Sequence, residues 1–179
     1  QVYSLTKNVF LLGLIGLTEA IPAIITALFA GHLVDIYSPK RIYTLCLSAI
    51  ALNTVFLFAV GSGFIPLSNK ALVCALFIGV FASGITRTFV RPASFALMPQ
   101  TIGKANVPAG MAWLTSFYQM GTIGGPALAG LLYGGYGPKS AWLLPTLMTI
   151  SAAISALFIQ LSHPEQNVTK RDPAWDSIK

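Results

Sequence analysis

The sequence predicts an all-α, polytopic membrane helix bundle. Three observations carry that expectation: scarce charge, five long apolar stretches, and basic residues gathered in alternate connectors. Only 9% of the 179 residues are charged and 55% are hydrophobic, with a mean hydropathy of +0.73. A soluble domain of this length carries about 25% charged residues. So little charge cannot cover a water-facing surface, and lipid is the expected solvent. No short repeat recurs, which sets aside fibrous and disordered classes.

Crossing a bilayer takes roughly 20 mostly apolar residues. Five stretches qualify, at about 8–30, 42–64, 71–90, 109–133 and 140–161, within a bundle over 1–162. The first holds one charge, Glu19, and the third is uncharged until Arg87. The alternating ten-residue pattern of barrel strands is missing. Residues 163–179 are polar, with two prolines and mixed charges, and read as a linker or tail.

The connectors give orientation. Lys40, Arg41, Arg87, Arg91, Lys104, Lys170, Arg171 and Lys179 fall on one side, and Lys7, Lys70 and Lys139 on the other. Basic residues concentrate on the cytoplasmic side of membrane proteins, so the eight-residue side and the tail are expected there. The Asn167-Val168-Thr169 acceptor triplet would then face the cytoplasm and counts as chance. The formal charge of +6 is scattered between spans and does not point to nucleic acid. Cys46 and Cys74 lie in apolar stretches and read as packing residues. Gln1 starts mid-pattern, with neither a charged leader nor a cleavage site. A further span before Gln1 would complete a six-helix unit and put the true N-terminus in the cytoplasm.

Two motifs carry a resemblance. After the first apolar stretch comes Gly31-His32-Leu33-Val34-Asp35-Ile36-Tyr37-Ser38-Pro39-Lys40-Arg41, read as a short loop. Gly31 permits close helix approach. Asp35 sits at a helix C-terminus, where the local dipole disfavours a carboxylate, so it needs a partner. The fourth stretch holds Gly121-Thr122-Ile123-Gly124-Gly125-Pro126-Ala127-Leu128-Ala129-Gly130. Gly121, Gly125 and Ala129 share one helical face and leave it nearly bare, as tight crossings require. Pro126 removes a backbone hydrogen bond and bends its helix.

The first motif resembles the loop between the second and third helices of major facilitator superfamily transporters, matched at Gly31, Leu33, Asp35, Lys40 and Arg41. The second resembles the fifth-helix hinge of that superfamily's exporters, matched at Gly121, Gly125, Pro126, Ala129 and Gly130. Residues 84–93 through Met98-Pro99 resemble the end of the fourth helix in the subgroup that includes the enterobactin exporter and macrolide efflux proteins. Gln1 to Thr6 resembles the stretch just after their first helix. The resemblance implies two inverted three-helix repeats with the first helix absent, and twelve helices in the whole transporter. It also implies that Asp35 latches a cytoplasmic gate against the missing C-terminal half. Ile36, Ser38 and Pro39 depart from the usual loop pattern and leave the basic side of that latch to Lys40 and Arg41. The implied activity is efflux of a small amphipathic molecule, drug-like or siderophore-like, through the cell (plasma or inner) membrane. Protons are the implied coupling ion, and no cofactor is needed.

Three residues are candidates for substrate or proton handling. Glu19 is an acidic residue at mid-membrane depth, where a carboxylate is costly and a functional role is the first hypothesis. A structural role, protonated or hydrogen-bonded between helices, stays open. Arg87 and Arg91 lie four apart on one helical face. They either meet an acidic partner or an anionic substrate, or snorkel to headgroups. His32 reads as interfacial. With His163 it makes only two histidines, too few for a metal cluster, and no phosphate-binding Gly-rich loop is present. An enzyme is not expected. A membrane scaffold or sensor on the same fold is the alternative.

Overall fold

The computed structural model describes residues 2–161. Six helices follow one another: α1 Val2–Thr6, α2 Val9–Ile36, α3 Pro39–Gly61, α4 Asn69–Ile102, α5 Val107–Tyr136 and α6 Pro138–Leu157. A 3-10 turn, Lys104–Asn106, joins α4 to α5, and no strand occurs among the described residues.

The helix ends obey local chemistry. Asn8 caps α2 by accepting from the Phe10 amide, and Ser68 caps α4 by accepting from the Ala71 amide. Pro39 opens α3 where its missing N–H costs nothing. Gly103 (φ 77°) and Gly137 (φ 80°) stop α4 and α5 in a left-handed conformation open to glycine. Gly137 is also the whole link to α6, braced by the Ser140 hydroxyl on the Gly137 and Leu132 carbonyls.

The helices outrun two expected connectors. Residues 31–36 continue α2, so only Tyr37 and Ser38 lie between it and α3. The loop expected over Gly31–Arg41 shrinks to those two residues, and Asp35 stands next to last in α2. The basic link expected from Arg87 to Lys104 is helical as far as Ile102, through Pro92 and Pro99. Four helices are long and apolar enough to cross a membrane: Val9–Gly31, Pro39–Gly61, Asn69–Ile102 and Lys139–Leu157. α5 is not among them. It is uncharged, but its glycines, tyrosines and Gln119 dilute its apolar character.

α4 is the hub. It packs along α2 on one side and α3 on the other; α3 also packs on α6, and α6 on α5. Directions alternate: residues 53 and 57 of α3 face 83 and 79 of α4, and residue 54 of α3 faces 146 and 149 of α6. Lys40, Arg41 and Lys104 thus share one end of the bundle, and Lys7, Lys70 and Lys139 the other.

The packing is inside-out by the standard of a water-soluble protein. Large apolar side chains face outward, such as Phe10, Leu28, Leu45, Leu52 and Ile123, while Ala30, Ala51, Ala93 and Ala156 are buried. With no water to expel, helices in lipid associate by close approach and interhelical hydrogen bonds. Both are present. Gly79 faces the Leu57 side chain, where an added Cβ would sit 2.5 Å from Cδ2, and Gly61 faces the Trp142 ring in the same way. Asn53 Nδ2 donates to the Gly79 carbonyl (2.9 Å) and to Ser83 Oγ (2.8 Å), stapling α3 to α4. The Thr54 and Thr149 hydroxyls meet at 2.7 Å, and the Thr146 hydroxyl donates to the Thr54 carbonyl at 3.3 Å, tying α3 to α6.

Interhelical bonds in membranes contribute about 0.6–2 kcal/mol each. Asn53→Ala removes two bonds and is expected to lower the thermal midpoint of the detergent-solubilised protein by several degrees. Ser83→Ala, which removes one, should lower it less. Equal midpoints for Asn53→Ala and the parent would show that the staple contributes nothing.

Candidate functional site

Two of the residues singled out in the sequence, Glu19 and Arg87, meet where α2 and α4 cross. Pro22 leaves the Thr18 carbonyl without its helical donor, loosening α2 one turn beyond Glu19. Gly84 lets α4 press against that turn. A Cβ there would overlap the Glu19 carbonyl oxygen and stand 3.1 Å from Pro22 Cγ. One turn on, the Thr88 hydroxyl donates to the Gly84 carbonyl (2.8 Å) and reaches the Ala23 carbonyl (3.4 Å).

This backbone approach brings two charges together. Arg87 Nη1 donates to Glu19 Oε1 at 3.1 Å. Glu19 is the eleventh residue of the 23 from Val9 to Gly31, so the pair sits at the middle of the apolar stretch. The side chains remain 41% and 69% exposed, so the pair faces out of the helices described, with only its own partner to offset its charge. A lone Arg, Lys or Asp at a helix centre costs about 2.5–3.5 kcal/mol on insertion scales. Pairing removes part of that cost while leaving each ion reachable from one side.

Arg91, one turn along α4, points elsewhere. Its guanidinium lies over the Tyr118 ring of α5, 4.6 Å from the centroid, a cation–π contact that strengthens away from water. Arg87, Arg91 and Tyr118 border a groove of about 840 Å³ between α3, α4, α5 and α6. Along α5 the groove is floored by Gly121, Gly125, Pro126 and Ala129, four of the five motif positions; Gly130 does not line it.

The glycines of the two motifs meet no close neighbour among the described residues. A Cβ at Gly31 would meet nothing within 4 Å, so the expected close approach there does not occur among the described residues. The same is true of Gly121, Gly125 and Gly130, and no residue of α5 is buried. The bare face is real, but no described helix lies against it. The tight approaches are instead at Gly84, Gly79, Gly61 and Gly110. The spacing Gly79-x-x-x-Ser83, small residues four apart, is the sequence signal for the second.

The Gly31–Arg41 motif lies at the C-terminal end of α2. The Tyr37 amide closes α2 on the Leu33 carbonyl at 3.0 Å. Lys40 and Arg41 occupy the first turn of α3, where the helix dipole disfavours a cation, so both favour an anionic neighbour. Asp35 is close by chain to that turn's Ser38 cap, but its side chain, like that of His32, lies outside the described residues. So does the tail from 163, with the Asn167 triplet. Asp35 and Arg91 lie toward the same end of the bundle, since α2 and α4 run parallel with 19 beside 87 and 23 beside 88.

Comparison with curated proteins and with solved structures gives no match. A family model does match, and it covers residues 3–178, nearly the entire chain. Together with the all-α bundle and its four membrane-length apolar helices, that match makes the chain a member of the Major Facilitator Superfamily, a family of membrane transporters.

Proposed function

We propose that the chain forms part of the N-terminal half of a proton-coupled exporter of small amphipathic molecules. By motif it resembles the enterobactin exporter and macrolide efflux proteins. It works in the cell membrane as an antiporter, with Lys40, Arg41, Lys104 and the tail on the cytoplasmic side. Asp35, Lys40 and Arg41 contribute to a cytoplasmic latch against a C-terminal half.

The Glu19–Arg87 pair carries this reading. A carboxyl can give up its charge by taking a proton, whereas a guanidinium cannot. Protonating Glu19 dissolves the ion pair and leaves Arg87 seeking another anion or the headgroups. The crossing of α2 and α4, held by backbone contact at Gly84 and by this pair, then has a charge-dependent reason to re-pack. A proton crossing 100 mV brings about 2.3 kcal/mol, comparable with the cost of one unpaired charge.

The test is transport by the full-length protein in proteoliposomes, with amphipathic dyes and catechol chelators as probes. An imposed pH gradient should drive uptake against concentration. The double variant Glu19→Gln/Arg87→Gln, neutral and free of an orphaned charge, should keep downhill exchange while pH-driven accumulation falls at least tenfold. A parent protein indifferent to the gradient, or a double variant still driven by it, would refute the coupling.

A further inference from the structure

Three polar groups at one end of the groove lack a partner that matches their chemistry. The Arg91 guanidinium carries five donors and lies on the Tyr118 ring, which offers a face but no anion. Tyr43 and Thr115 line the same groove, and neither hydroxyl makes a hydrogen bond among the described residues. Thr115 is the exception among the serines and threonines of α5. Ser116 and Thr122 donate to the Ala112 and Tyr118 carbonyls one turn back.

Helix register sets these groups at one level. α3 and α4 run antiparallel with 53 beside 83, so 43 falls beside 93. α4 and α5 are antiparallel too, with 91 beside 118, so 115 falls beside 94. Arg91 is one turn from Arg87, about 6 Å along the axis from the level of Glu19, whereas half the hydrocarbon thickness is about 15 Å. Arg91 is thus rooted inside the apolar layer. There an unpaired hydroxyl is costly, and an unpaired cation more so.

The local charge is positive. The groove is lined by two charged residues, Arg87 and Arg91, and by no carboxylate. Arg87 has its counter-ion in Glu19. Asp35 lies about 14 Å further along the bundle than Arg91, by the register of 23 beside 88. From this polar end the groove continues past Ile50, Leu144, Pro145 and Met148, which are apolar. A ligand with an oxyanion at one end and an apolar body suits both parts. A carboxylate accepts two parallel bonds from a guanidinium and keeps lone pairs for hydroxyl donors. A neutral ligand leaves the Arg91 charge unmatched, and a cation is repelled by it.

We propose that Arg91, Tyr43 and Thr115 bind the carboxylate of an amphipathic organic anion. The proposal rests on the exporter reading and deepens it, because it gives the small amphipathic cargo a negative charge. Tyr118 is a positioning residue, whose ring holds the guanidinium level with the two hydroxyls.

Titration calorimetry on the full-length protein in phosphatidylcholine nanodiscs tests it. The probes share one apolar body: naphthylacetate, its neutral amide and naphthylmethylammonium. Naphthylacetate should bind at least tenfold more tightly than either of the others. Arg91→Gln should abolish that preference, and Arg91→Lys should keep part of it. Tyr118→Leu should lose it, whereas Tyr118→Phe, which keeps the ring, should retain it. Tyr43→Phe/Thr115→Val should reduce it at least threefold and leave affinity for the amide within twofold. That variant keeps every charge, so it reports even where Arg91→Gln folds poorly. Equal binding of acid and amide, or binding of none of the three, would overturn the proposal. A preference lost on adding phosphatidylglycerol would give the donors to a lipid headgroup and overturn it as well. No gradient is imposed, so this failure is distinct from a failure of coupling. A protein driven by pH yet blind to probe charge keeps the exporter reading and loses this one.

Discussion

Gly84→Leu is expected to leave almost no folded protein. The atom facing Gly84 is the Glu19 carbonyl oxygen, with Pro22 Cγ beside it. Backbone cannot swing aside as the end of a flexible side chain can, so any Cβ at residue 84 must push α2 and α4 apart. Even Gly84→Ala is expected to cost about 1–3 kcal/mol, the usual range for overpacking a tight contact. Leucine adds three more heavy atoms to the same gap. The displaced α2 would also carry Glu19 away from Arg87 and the Ala23 carbonyl from the Thr88 hydroxyl. The measurement is monodisperse yield and thermal midpoint in detergent, with Gly13→Ala as control because Gly13 faces open space. A Gly84→Leu protein as stable as Gly13→Ala would show that α2 and α4 do not cross at backbone contact.

The second large effect is an asymmetry between the two halves of the ion pair. Glu19→Gln strands Arg87, which holds its charge at any working pH. Arg87→Gln strands Glu19, which can become neutral by binding a proton. The first substitution should therefore cost more than the second, up to about 2.5–3.5 kcal/mol. The double variant should regain most of the loss, because neither charge is left alone. Thermal midpoints of the three variants in detergent decide the matter. Additive single losses in the double variant would mean that the charges do not interact.

Much of the bundle is written in the local sequence. Charge scarcity and the apolar stretches call for helices in lipid, and the helices lie where those stretches are. The isolated charges Glu19 and Arg87 are visible as costly residues awaiting an explanation. Their pairing is not, because 68 residues separate them and only the α2–α4 contact brings them together. The same reason hides the stacking of Arg91 on Tyr118 and of Gly61 on Trp142. The small-residue face of α5 shows the converse limit. Its spacing declares a surface fit for close contact but not which helix meets it. Helix ends escape the sequence for a simpler reason. Charged residues usually mark the edge of the lipid, but a helix need not stop where the lipid does, as Arg91 to Ile102 of α4 demonstrate.

That last point has a mechanical side. At 34 residues α4 is about 51 Å long, some 20 Å more than the hydrocarbon core needs. Its far end is clipped to the start of α5, where Met98 and Ile102 close on Gly110. Pivoting by about 10° at Gly84, the roughly 27 Å of helix from there to Ile102 sweeps its end through about 5 Å, given the length set by the helical rise. A tilt that leaves the contact at Gly84 in place thus still displaces Lys104, and α5 is towed with it.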